Sequence, residues 1–148
     1  MKLMGMAGMA AIALMAGAGA RAQTPSQNTV VVRAFLDMVF NQHKVAQAFA
    51  DYVGPTYTQH NPYVPDGIAG AIKGLGGMVA KNPEMHIYIK RTIAEGDLVV
   101  DHNLTTAKPG DRGNAIIDIF RLANGKIVEH WDVVQAVPAT HANNNTMF

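Results

Sequence analysis

The sequence predicts an α+β domain in which N-terminal helices close one face of a curved antiparallel sheet. Three observations carry this reading. Apolar residues recur at helical spacing between residues 32 and 79, they alternate at strand spacing from residue 86 onward, and turn residues separate four successive alternating runs. Helices first and strands afterwards favour a segregated layer arrangement over an alternating βαβ sheet.

In chain order, residues 24–28 are polar and contain Pro25, which reads as a loose leader. Asn28 or Thr29 is the expected cap of a helix that places Val32, Phe35, Leu36, Val39 and Phe40 on one face. A second, shorter helix aligns Val45, Ala48, Phe49 and Tyr52 and stops at Gly54-Pro55, with His43 between the two as a solvated or capping residue. Thr56 to Asn61 reads as a brief strand that opens into a loop, Asn61 to Gly67, stiffened by Pro62 and Pro65. Ile68, Ile72, Leu75 and Val79 then form a helical stripe over residues 68–80. Gly70, Gly74, Gly76 and Gly77 weaken it, each at about 1 kcal/mol relative to alanine, so this helix depends on tertiary support. Its glycines allow either close packing or motion over a cavity.

After Pro83 the period becomes two. Strands are expected over His86 to Ala94 and Leu98 to Thr106, joined at Gly96-Asp97, and Lys108 to Gly113 forms a longer turn. Asn114 to Gln135 then reads as a hairpin around Ala123-Asn124-Gly125, whose Asn-Gly pair accepts the positive φ of a tight turn. The space between the meander and the helices is a natural pocket.

Lys2 is followed by an uncharged run from Leu3 to Ala20, and Ala18-Gly19-Ala20-Arg21-Ala22 offers two small-x-small cleavage sites. The sequence therefore predicts a secretory signal peptide over residues 1–22, a domain over 23–137 and a flexible polar tail over 138–148, in which His141 has no assigned role. A retained membrane anchor is the alternative, because the run is just long enough to span a bilayer. Loss of Lys2 and Arg21 leaves ten basic residues against eleven acidic ones, a formal charge of −1 that offers nucleic acid nothing. The mature protein is expected to be periplasmic or secreted, without stable membrane association. The absence of cysteine excludes disulfides, thiolate metal sites and a cysteine nucleophile. The single serine, Ser26, lies in the leader, which removes Ser-His-Asp chemistry. Five of the nine methionines fall in the signal segment, so they form no functional stripe.

One carboxylate stands out. Asp118 shares a predicted strand face with Ile116, Phe120 and Leu122, where it must protrude at an edge, pair with a buried donor, or line a pocket useful for proton transfer. Simple alternation puts Val100, His102 and Leu104, and likewise Ile127, Trp131 and Val133, on the same inner face. On that reading Asp118 is a base, His102 a hydrogen-bond donor, and Phe120 and Trp131 are walls for a planar substrate, the alternative being a buried structural Asp-His pair. Tyr57, His60 and Asn61 are expected at the cavity rim, where structural capping is an equal reading. His130 and Asp132 alternate with Trp131 and are expected on the opposite face, beside Val128 and Val134, in a subunit interface. No His-x-x-x-His or dense carboxylate loop is present, and a triad of His60, His102 and Asp118 would need three strands to converge, so no metal is expected.

Several motifs occur in order: Tyr57-Thr-Gln-His60-Asn61-Pro62, Val64-Pro65-Asp66-Gly67, Gly96-Asp97-Leu-Val with His102, Asp111-Arg112-Gly113, Asp118-Ile-Phe-Arg121, and Asn124-Gly125-Lys-Ile-Val-Glu129-His130-Trp131-Asp132. Together they resemble the SnoaL-like polyketide cyclase family, most of all its branch of aldol-condensation proteins, within the nuclear transport factor 2-like superfamily. The resemblance implies a cone-shaped α+β barrel with an internal cavity, and a homodimer formed through the outer sheet face. It implies that Asp118 is an acid/base for aldol closure without metal or cofactor, and that His102 and His60-Asn61 bind carbonyl oxygens. A second histidine of that branch is replaced here by Leu104, and an export signal is unusual for polyketide biosynthesis, so no polyketide substrate is carried over. The function expected is proton abstraction α to a carbonyl in a small carbonyl-containing or aromatic ligand. A non-catalytic module that binds a small apolar ligand or a partner is the alternative.

Overall fold

A computed structural model describes residues 24–148, so the signal segment, with its export and cleavage expectations, lies outside the described residues. Three helices, α1 (Pro25–Phe40), α2 (Val45–Tyr52) and α3 (Gly67–Lys81), pack on a five-stranded sheet of β1 (Val53–Gln59), β2 (His86–Glu95), β3 (Leu98–Thr106), β4 (Asn114–Ala123) and β5 (Lys126–Ala136). The strand order is β1-β5-β4-β3-β2: the last four form the expected antiparallel meander, and β1 adds to β5 in parallel. The sheet curves without closing, an α+β cone as the fold class predicted. Among the described residues no helix is long and apolar enough to cross a membrane.

Helix α1 begins earlier than its apolar stripe indicates. Thr24 caps it in a capping box with Gln27, and Pro25 fills the first helical position, where a missing N–H costs nothing. Val32, Phe35, Leu36 and Val39 then reach the core, where Phe35 meets Phe49 and Phe120 edge to face at 5.4 and 6.0 Å. The glycines of α3 divide by role. A Cβ at Gly70 would stand 2.7 Å from the Pro65 carbonyl oxygen, so close packing of the proline loop demands glycine there, whereas Gly76 and Gly77 face open space. The hairpin turn uses positive φ at Asn124 (51°) and Gly125 (77°), as its sequence requires.

Two β-bulges decide which side chains face the helices. On β5, Leu122 pairs with Ile127 but Arg121 with Glu129, which leaves Val128 as an extra residue. On β2, Ile89 pairs with Asn103 and Arg91 with His102, leaving Lys90 as the extra. Each extra residue reverses the alternation beyond it.

Candidate active site

A cavity of about 210 Å³ lies between the sheet and α1, α3 and the proline loop. Phe35, Leu36, Phe40, Val64, Leu75 and Met78 form its apolar side, and β1, β4 and β5 supply the polar floor. A larger but shallower groove of about 390 Å³ between α2 and α3 has no converging polar groups.

The floor is one hydrogen-bonded chain. The Asn61 backbone N–H donates to Gln59 Oε1 at 2.9 Å, which fixes the Gln59 amide so that its Nε2 donates to the Tyr57 hydroxyl at 2.8 Å. Gln59 Oε1 also stands 3.0 Å from His130 Nδ1, and because that oxygen only accepts, Nδ1 carries a proton. His130 Nε2 lies 3.0 Å from Asp118 Oδ1, both side chains being about nine-tenths buried. In neutral His130 this nitrogen is a bare lone pair, so the contact to a carboxylate requires one proton held between the two groups. Asp118 Oδ2 accepts from Asn103 Nδ2 at 2.7 Å, and Asn103 Oδ1 accepts from Thr105 Oγ1 at 3.1 Å. Among the described residues each Asp118 oxygen thus has a single protein partner, below the acceptor capacity of a carboxylate, and Asp118 lines the cavity. Asp132 completes the floor: Asn61, oriented by the Tyr63 N–H on its Oδ1, donates Nδ2 to both Asp132 oxygens at 2.9 and 2.6 Å.

Two further groups are perturbed. Burial, chiefly, and then the charges of Asp118, Asp132 and Asp66 raise the Tyr57 phenol well above its ordinary value, which keeps it a donor. Asp101, paired across the strands with Asp118, is fully buried, and its Oδ2 has no partner among the described residues. Thr92 donates to its other oxygen and itself accepts from Arg33. Burial pushes the Asp101 carboxyl up to about 6 against the pull of the Thr92 bond, and the Asp118 charge adds to the rise.

Of the residues named from sequence, Asp118, Phe120, Tyr57 and Asn61 line the cavity. Three do not. His102 points to the outer face and stacks on Phe148 at 5.3 Å, because the inward row of β3 is the polar one, Val99, Asp101, Asn103 and Thr105. Trp131 lies outside because the Val128 bulge turns His130, Asp132 and Val134 inward instead, reversing the expected faces of β5. His60 follows Trp131 outward, its ring stacked on the indole at 4.7 Å and 6° and its Nε2 2.9 Å from Glu129. Arg121 extends this outer ladder, bonding both Glu129 and Asp97 at 2.8 Å. His60, His102 and Asp118 therefore form no triad. The sequence reading gives Gln59 and Asn103 no role and puts His130 and Asp132 on the opposite face, and only a bulge at Val128 would have placed the last two.

The family model of the SnoaL-like domain matches residues 32–130, about two thirds of the chain. No curated protein matches. Solved structures share the fold. A candidate polyketide cyclase from Acidithiobacillus ferrooxidans is 22% identical over 76% of this chain and 90% of its own, with a TM-score of 0.63. A candidate SnoaL-like polyketide cyclase from Jannaschia sp. CCS1 is 20% identical over 77% and 90%, TM-score 0.63. A SnoaL-like protein of unknown function from Burkholderia thailandensis is 15% identical over 76% and 97%, TM-score 0.65. With the family match spanning both the helices and the polar floor up to His130, the chain belongs to the SnoaL-like family.

Proposed function

We propose that the protein is an enzyme that removes a proton α to a carbonyl of a small, largely apolar substrate, with Asp118 as the base and no cofactor required for the transfer. The supporting observation is the Asp118–His130 pair, one proton between two groups, on the polar floor of a cavity whose helix side is apolar. With that proton on His130 Nε2, Asp118 is a carboxylate whose open lone pairs accept the substrate α-proton. The C–H electrons move into the enolate, and the growing charge on the carbonyl oxygen is met by the Tyr57 O–H, whose oxygen already accepts from Gln59 and whose hydrogen has no acceptor among the described residues. Return of the proton at another carbon is an isomerisation, and attack of the enolate on a second carbonyl is an aldol closure. Neighbours described as cyclase and isomerase candidates fit either outcome.

Export, from the uncharged run of residues 3–20, belongs to the same proposal, as does a homodimer through the outer sheet face, where Ile93 and Val133 are 62% and 68% exposed. The chemistry is tested by deuterium exchange: cyclic and aryl ketones are incubated with the protein in D2O and their α-protons followed by NMR. Exchange above the buffer rate, abolished in a folded Asp118→Asn variant, is the expected result. Exchange that survives in Asp118→Asn refutes the base assignment, and a wild type that retains a ligand but never exchanges it is a binding module.

A further inference from the structure

We propose that Asp118, His130 and Asp132 form a site for one divalent transition-metal ion, which takes the place of the proton between Asp118 and His130. One ligand atom from each lies within 4.8 Å of the others. The surrounding network aims these atoms. Gln59 occupies His130 Nδ1, so the Nε2 lone pair points at Asp118 Oδ1, 3.0 Å away. Two ligand atoms each about 2.1 Å from an ion stand about 3.0 Å apart at a right angle, so the pair already has the spacing of neighbouring ligands. Asp132 turns one oxygen to the ion and keeps the other on Asn61.

A second, independent observation is the charge of the cavity. Among the described residues no lysine or arginine lines it, although two carboxylates do and a third, Asp101, stands across the strand from Asp118. Each ligand also has an outer partner of the kind that orients metal-binding side chains: Gln59 for His130, Asn103 for Asp118 and Asn61 for Asp132. One imidazole nitrogen with two carboxylate oxygens suits Zn2+, Co2+, Mn2+ or Fe2+ better than soft Cu+. Metal and proton compete for the same lone pairs, so binding releases the shared proton and occupies the base. This inhibitory consequence rests on the proposed proton transfer, whereas the binding itself does not.

The test is calorimetric titration of the metal-stripped protein with Zn2+ in buffers of different ionisation enthalpy, repeated with Co2+ by visible absorption. One ion per chain with release of about one proton is expected. Gln59→Leu should weaken binding roughly 10–100-fold, the usual cost of an outer partner, and the shape-conserving Asp132→Asn more than that. His60→Ala, which removes the imidazole–Glu129 pair on the outer face, should leave it unchanged. Absent binding, binding indifferent to Asp132→Asn, or binding lost in His60→Ala overturns the site. Deuterium exchange measured in chelator separates the two readings: exchange without Zn2+ binding refutes only the metal site, and Zn2+ binding without exchange refutes only the proton transfer.

Discussion

Replacing Asp101 with asparagine should stabilise the protein at neutral pH and do so progressively less as the pH falls. Asp101 is fully buried, and its carboxyl titrates at about 6 in the fold against 3.8 for the free side chain. A group whose folded value is raised binds its proton more tightly in the native state. Its stabilising contribution is complete below about pH 4 and is lost as the pH rises through 6. A rise from 3.8 to about 6 corresponds to about 3 kcal/mol between those limits. The asparagine side chain keeps the acceptor for Thr92 and does not titrate, so the difference in unfolding free energy between Asp101→Asn and wild type should grow by about 3 kcal/mol from about pH 4 to pH 8. For a domain of this size that is about 10 °C in Tm. Urea or thermal unfolding of both proteins at the two pH values measures it, and the contributions of titrating groups that do not interact with Asp101 cancel. An offset that is the same at both pH values would refute the claim that burial holds this carboxyl up.

Other outcomes follow from the geometry of the site. Under the proposed chemistry Tyr57→Phe removes the hydroxyl assigned to the enolate oxygen and should lower α-proton exchange by roughly 10²–10³-fold, with a lower unfolding midpoint as well because Gln59 Nε2 loses its acceptor. His102→Ala should leave exchange at the wild-type rate, because His102 faces away from the cavity; a large loss would place it in the chemistry after all.

The fold was largely legible because its signals are local. Helical spacing marked α1 and α2, and Asn124-Gly125 dictated the hairpin. Asp118 could be singled out because β4 alternates without interruption from Asn114 to Arg121. The rest of the site was hidden for two physical reasons. Val128 is an unremarkable residue in sequence, yet as the extra residue of a bulge it exchanges the faces of everything after it, sending Trp131 out and His130 and Asp132 in. On β3 the more apolar row was the natural choice for the interior, but Asp101, Asn103 and Thr105 face inward because Thr92 on β2, Asp118 on β4 and, for Thr105, Asn103 on β3 itself supply their hydrogen bonds, and the outer row of Val100, His102 and Leu104 is the apolar one. The parallel addition of β1 to β5, which delivers Gln59 to His130, is a long-range pairing with no local signature.

The proposed chemistry requires Asp118 and His130 to act as one proton-holding pair, and nitrogen-15 NMR of the His130 imidazole tests this most directly. The expected result is a protonated Nδ1, held on Gln59 Oε1, with Nε2 losing its share of the proton in Asp118→Asn. A neutral ring with a bare Nδ1 and its proton on Nε2 would contradict it, because the Gln59 bond would then be absent and the pair would have no proton to share.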